Sequence, residues 1–232
     1  MTERRILAVE TSTEACSVAL LVGDEVCERF EVAPRQHARL LLPFAESLLA
    51  EAQLQPAQLD AIAFGRGPGS FTGLRIAAGM AQGIAFGADL PVVALSTLAV
   101  LAQGLMREQG AVRVLAALDA RMQEVYCGGW QRQADDTLEL VGRERVCAPA
   151  DVETFPDADW YGAGSGWQTY GTVLRQITGL PDARVFPQQL PHAADLARLA
   201  VAEFEIGAAL PPEQAVPVYL RDNVAARPGA GK

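Results

Sequence analysis

Apolar residues along this chain recur at spacings that change in a regular order, and each spacing predicts a kind of element. Residues 5–9 are almost unbroken in apolar character, which predicts a central strand buried on both faces. Residues 16–22 read as a second strand. Residues 26–32 alternate, with Cys27, Arg29 and Glu31 on one face, and predict a third strand in a more exposed position. A turn at Gly23-Asp24 would set Leu20 opposite Cys27 and Cys16 opposite Glu31. Over residues 37–52 the spacing becomes helical, with Leu40, Leu41, Phe44 and Leu48 on one stripe and Leu42, Ala45 and Leu49 widening it. That is more apolar surface than a helix resting on one sheet needs. Pro43 lacks the N–H that a helix interior uses, so the regular helix either begins near Leu40 or kinks there.

A strand over 59–64 then runs into Gly65-Arg66-Gly67-Pro68-Gly69-Ser70-Phe71-Thr72-Gly73-Leu74-Arg75 and a helix marked by Leu74, Ala77, Ala78, Ala81, Ile84 and Ala85. The glycines allow a tight turn, Pro68 fixes a dihedral, and Ser70 or Thr72 can cap the helix. A helix start of this kind can take an anion. The spacing nevertheless departs from the two common phosphate loops. Gly73 is followed by Leu74-Arg75 where a Walker loop needs Lys-Ser/Thr, and Gly67, Gly69 and Gly73 are one residue too widely spaced for the dinucleotide fingerprint. Within the helix Gly73, Gly79 and Gly83 each cost about 1 kcal/mol against alanine. Gly79 and Gly83 share a face with Gln82 and Phe86, where another helix could come close to the backbone; the alternative is packing on the domain's own sheet.

A strand over 91–95 and a helix over 96–108 follow. The order then recurs: a strand over 112–118 ending at Asp119, as the first ends at Glu10, hairpin strands over 124–130 and 138–147, and a short helix over 150–155. A strand at 160–161, a glycine loop at 162–166, a helix reaching 176 and a helix over 192–204 complete it. No residue-level repeat accompanies this order. It predicts an α/β chain of two related domains, 1–108 and 109–232, with a hinge near residues 104–110. Residues 207–217 are punctuated by proline, 218–221 read as a short ordered segment, and the chain is expected to be flexible from about residue 224, with a disordered tail over 227–232.

Half of the 232 residues are hydrophobic and a fifth are charged, which suits a well-packed protein. No secretory or membrane segment is read, so the chain is expected in the cytoplasm. The net charge is −9, with eight basic against twelve acidic residues up to Glu108 and eleven against sixteen after it. Neither half is a basic platform for a phosphate backbone. The one lysine is Lys232, which removes Schiff-base and lysine-clamp chemistry. Cys16, Cys27, Cys127 and Cys147 form no C-x-x-C pair and read as free thiols. His37 and His192 stand apart from other ligand residues, so no metal site is expected. His37 itself reads as a surface or cap residue. The candidate polar site is Glu10-Thr11-Ser12, with Asp119 at the matching strand end; the same residues also make an ordinary capped turn, the preferred reading.

Taken together, Glu10-Thr11-Ser12, His37 before Leu41-Leu42-Pro43, the block from Gly67 to Arg75, Ser96-Thr97-Leu98, Asp119-Ala120-Arg121 with Glu124-Val125-Tyr126, and Pro217-Val218-Tyr219-Leu220-Arg221 resemble the TsaB (YeaZ) family over nearly the whole chain. The resemblance implies two tandem actin-like domains of the ribonuclease H-like class, each a mixed sheet flanked by helices. It implies a non-catalytic scaffold in making threonylcarbamoyladenosine on tRNA, binding and activating the transferase TsaD and helping to recruit the ATPase TsaE, with tRNA met only through the complex. TsaC would supply threonylcarbamoyl-AMP. TsaD holds a metal through two histidines four apart after the strand that follows the glycine loop; here that stretch reads Leu95-Ser96-Thr97-Leu98-Ala99-Val100-Leu101. The family more often has Asp where this chain has Glu10.

The resemblance also implies that partners meet through the helices already marked, at Leu41, Phe44 and Leu48 on the first and Gly79, Gln82, Gly83 and Phe86 on the second. Homodimerisation through the same patch is the expected competitor. No cofactor is expected. One alternative is an active transferase or kinase using Glu10, Asp119 and the 162–166 loop around a nucleotide. Another is a peptidase built on Ser70 or Ser96, neither of which has a histidine near it in sequence. Arg66 and Arg75 are expected to cap carbonyls or pair with acids within the domain.

Overall fold

A computed structural model describes residues 3–155 and 159–221. The expected flexible tail lies outside the described residues. The first sheet holds β1 (Arg5–Glu10), β2 (Ala15–Val22), β3 (Glu25–Val32), β4 (Ala61–Gly67) and β5 (Val92–Ser96) in the order β3-β2-β1-β4-β5. β1 is antiparallel to β2 and parallel to β4, so the unbroken apolar strand sits in the centre and the alternating β3 at an edge. The hairpin register is the one the Gly23-Asp24 turn predicts, with Leu20 opposite Cys27 and Cys16 opposite Glu31.

The second sheet repeats this topology with β6 (Arg113–Arg121), β7 (Glu124–Arg132), β8 (Leu138–Cys147), β9 (Trp160–Ala163) and β10 (Val185–Phe186) in the order β10-β9-β6-β7-β8. β6 pairs antiparallel with β7 and parallel with β9, as β1 does with β2 and β4. The fold is two tandem α/β units of the actin-like, ribonuclease H-like class. β10 has no counterpart in the sequence reading, being only two residues long. The expected helix over 150–155 is a single turn at Pro149–Asp151, because Val152 returns to extended backbone.

Among the described residues five helices cover the sheets: α1 (His37–Glu51), α2 (Phe71–Ala88), α3 (Thr97–Gln109), α4 (Ser165–Thr178) and α5 (Ala193–Glu205). α1 begins at His37 and runs through Pro43, so the late start at Leu40 does not occur. α1 and α2 lie on one face of the first sheet, where Leu41, Leu48, Ala77 and Ala81 pack with Leu7, Val9 and Phe64.

α3 and α5 are exchanged between the units. α3 follows the first sheet yet buries Leu101, Leu105 and Met106 against Val114, Ala116 and Trp130 of the second. α5 follows the second sheet yet buries Leu196, Ala197 and Ala200 against Ile6, Ala8 and Ala63 of the first. The segment beyond α5 also returns, with Leu210 bridging Val92 and the Val218 N–H donating to the Arg66 carbonyl at 2.8 Å. A division at residue 108 separates the sheets but not the packing.

The expected hinge is a crossing point instead. A Cβ on Gly104 would lie 3.0 Å from Asp195 Oδ2, so its absence lets α3 approach α5. Arg107 donates to the fully buried Asp195 at 2.8 and 3.1 Å, and Asp195 in the first turn of α5 complements the helix dipole.

A second tie holds the start of α5. The Ser17 hydroxyl accepts from the Ala193 N–H at 2.8 Å and donates to Glu28 Oε1 at 2.7 Å. Glu28 also accepts from the Ala194 N–H, and its Oε2 lies 3.0 Å from His192 Nδ1. Burial alone would raise the Glu28 carboxyl, but His192, Ser17 and the Ala194 N–H outweigh it and hold it below its ordinary 4.5. Burial likewise opposes charge on His192, yet Glu28 lifts it above its ordinary 6.5. His192 therefore contributes stability fully present below 6.5 and lost as pH rises through its raised value; Glu28 contributes stability present above 4.5 and lost as pH falls. Compared with Glu28→Gln in urea unfolding, the wild type is expected to lead by about 1 kcal/mol in the window between those values, with the lead shrinking on both sides.

Candidate functional site

Glu10 ends the central strand and is only 1% exposed. Its carboxylate fills the space left by Gly65 on β4, where a Cβ would lie 2.0 Å from Oε2. The Ser12 N–H donates to Oε1 at 2.6 Å. Burial raises the Glu10 pKa, against the lowering pull of the Ser12 N–H, while Glu10 Oε2 and the Ser12 and Thr97 hydroxyl oxygens are buried without a hydrogen-bond partner among the described residues. Asp119 lies at the matching end of β6, engaged by the Arg121 N–H at 2.8 Å and guanidinium at 3.1 Å. No hydrogen bond or ion pair among the described residues joins it to Glu10.

The glycine loop is bolted to this turn. Thr11 Oγ1 donates to the Gly73 carbonyl at 2.8 Å, and the Ser70 N–H donates to the Ser12 carbonyl at 2.7 Å. A Cβ would stand 2.5 Å from the Ser12 carbonyl oxygen at Gly69 and 1.9 Å from the Thr11 carbonyl oxygen at Gly73. Ser70 caps α2 by accepting from the Gly73 N–H at 3.4 Å. His37 is buried, not superficial: its Nε2 lies 3.0 Å from the Thr13 carbonyl and 3.2 Å from that of Ala15, tying α1 to the same turn. Thr11 Oγ1 and the Ser12 carbonyl thus hold this turn to the start of α2, and Glu10 Oε1 holds the Ser12 N–H.

The two serines of the peptidase alternative are also engaged. Ser96 caps α3 and bonds Glu144 of β8, which Arg66 meets at 3.5 Å. Neither serine contacts a histidine among the described residues. The expected loop over 162–166 is instead the end of β9, Gly164 and the start of α4, and it is closely packed: Cβ atoms at Gly162 and Gly164 would meet Trp167 at 2.5 Å and the Ala117 carbonyl at 2.6 Å. Among the described residues no group of three His, Cys, Asp or Glu could hold a metal. No helix described is long and apolar enough to cross a membrane.

The outer faces of α1 and α2 divide the predicted contact residues. Leu41 and Leu48 are 2% and 1% exposed and belong to the core, because the helical stripe that carries them faces the sheet. Phe44 is half-buried against the same core, so a charge there would disturb folding. On α2, Gly79, Gly83 and Phe86 are exposed and Gln82 is half-buried. Cβ atoms on Gly79 and Gly83 would meet nothing within 4 Å, and Gly87 continues the same open track. Phe86 is 60% exposed and Leu42 of α1 51%. Gly87 and Leu42 lie outside the expected contact set but share this exposed face, and Gly87 is legible by extending the four-residue spacing. Arg75 stacks over the Phe71 ring at 3.8 Å and donates to Tyr219 Oη at 3.2 Å.

The chain as a whole is similar to known proteins. The family model for TsaD, tRNA N6-adenosine threonylcarbamoyltransferase, matches residues 30–228. The tRNA threonylcarbamoyladenosine biosynthesis protein TsaB of Escherichia coli (strain K12) is 42% identical, covering 98% of this chain and 99% of its own. Its namesake in Haemophilus influenzae is 40% identical, covering 94% of each. Among solved structures, YeaZ from Pseudomonas aeruginosa gives a TM-score of 0.87 at 49% identity, covering 94% of this chain and 100% of that one. With likeness running through both sheets at that level of identity, the chain belongs to the TsaB (YeaZ) family.

Proposed function

We propose that this chain serves threonylcarbamoyladenosine biosynthesis on tRNA in the cytoplasm as a non-catalytic activator, docking on the transferase TsaD through the outer face of α2 and the neighbouring edge of α1. One observation carries this reading: a helix face with three exposed glycines beside an exposed Phe86 and Leu42. Interior glycines are costly in an isolated helix, and a face stripped of side chains beside apolar anchors lets a second helix pack close to the backbone. The TsaD family model spans most of this chain, so a partner of like fold would bring a similar helix pair and complete a four-helix layer. A second copy of the chain competes for the same face, TsaE joins the assembled pair, and tRNA is met through the complex. The engagement of Thr11 Oγ1 by the Gly73 carbonyl and of Glu10 Oε1 by the Ser12 N–H supports the non-catalytic part.

Gly83→Arg tests the docking face. Nothing surrounds that position and arginine is a good helix former, so the unfolding free energy is expected to hold or rise by up to about 1 kcal/mol while co-purification with TsaD is lost. Retained co-purification would place the contact elsewhere. Turnover of a nucleotide or of a threonylcarbamoyl donor by the purified chain alone would overturn the non-catalytic part.

A further inference from the structure

β7 and β8 bring two thiols together at the edge of the second sheet. Cys127 is 2% exposed, in a core with Leu115, Val125 and Trp167, while Cys147 at the end of β8 is half-buried. In the ladder Val125 faces Cys147 and Cys127 faces Arg145, so the thiols take diagonal places on one face. Their Sγ atoms are 3.7 Å apart. The register shifts between Cys127 and Gly129, and such a bulge on a pair ending at a sheet edge gives the strands local room to adjust. The other two thiols lie far from this pair in the fold, on β2 and β3 of the first sheet.

The two sulfurs also differ in reactivity. The hydrogen bond to Cys147 and then burial push the Cys127 thiol up. The same hydrogen bond, with Arg145 beside it, brings Cys147 down to about 7, against burial and the nearby Asp151 and Glu124. Thiolate character and access make Cys147 the attacking sulfur and leave Cys127 to resolve.

We propose that Cys127 and Cys147 form a reversible disulfide that fastens β7 to the edge strand β8. With a hydroperoxide as oxidant, the Cys147 thiolate attacks the outer oxygen. The O–O bond breaks, the alkoxide or hydroxide leaves and takes a proton, and Cys147 becomes a sulfenic acid. The Cys127 sulfur then attacks the Cys147 sulfur, and the S–O bond breaks. Water departs with the Cys127 proton. The two thiols lose two electrons in all, and the peroxide gains them. A small dithiol reverses the bond by exchange. In a reducing compartment such a bond is transient. It would stiffen the strand that carries Glu144, which reaches Ser96 and Arg66 of the first sheet.

The full chain treated with hydrogen peroxide, alkylated under denaturing conditions and digested with trypsin tests this, because cleavage after Arg121, Arg132 and Arg145 puts the two cysteines on separate peptides. The expected product is those two peptides joined, lighter by two hydrogens and separated again by a dithiol. Cys147→Ser is expected to leave Cys127 free for alkylation, and Cys127→Ser, oxidised with glutathione added, to carry a glutathione mixed disulfide at Cys147 with loss of water. The proposal fails if both thiols are still alkylated once the exposed Cys27 has been oxidised, if the joined peptides contain Cys27, or if Cys147 proceeds to sulfinic acid unpaired. The wild-type peptide map decides even where Cys127→Ser does not fold.

Discussion

A chain cut after Gly110 is expected to give two halves that do not fold alone. The first half would keep all five strands of its sheet and lose α5, leaving Ile6, Ala8, Ala63 and Val93 uncovered on the face that α5 occupies. The second half would lose α3, and with it the Leu101, Leu105 and Met106 cover over Val114 and Trp130. Full burial of one such leucine is worth about 1.5–3 kcal/mol, so several together match the whole stability of a domain. Each half by itself should show no cooperative urea transition by circular dichroism. Mixing the halves should restore one. A first half with a sharp transition of its own would contradict the exchange of helices.

Gly73→Ala is expected to destabilise the intact chain by about 3 kcal/mol or more, a cost in the range of severe overpacking. The added Cβ would stand 1.9 Å from the Thr11 carbonyl oxygen, a backbone atom that cannot turn aside. Relief requires α2 to move away from the turn, which breaks the bonds from Thr11 Oγ1 to the Gly73 carbonyl and from the Ser70 N–H to the Ser12 carbonyl. Gly83→Ala on the same helix is the internal control. It meets nothing and is expected to stabilise by up to about 1 kcal/mol through helix propensity. Urea midpoints of the two variants should move in opposite directions, and a shared direction would remove the close approach as the reason for glycine at 73.

Local features were legible wherever one segment decides its own state. The order of strands and helices, the register across Gly23-Asp24 and the Ser70 cap all follow from neighbouring residues. Features that depend on distant segments were not. The stripe of Leu41 and Leu48 marks a buried face without saying what buries it, and it faces the chain's own sheet. Gly104 looks like a flexible joint in sequence, and only its closeness to Asp195, nearly a hundred residues on, makes it a crossing. Neither histidine carries a local hint of its carbonyl or carboxylate partner. The three exposed glycines of α2 were legible in part, because a costly residue repeated on one helix face signals a requirement outside the helix.

The crossing of α3 and α5 has a mechanical consequence. Swinging the two lobes apart would have to pull Gly104 from Asp195, draw Arg107 off a carboxylate with no water around it, and strip both sheets of their inner cover at once. A partner seated on the first lobe is therefore expected to find the second held near one distance and angle, like the far arm of a gauge.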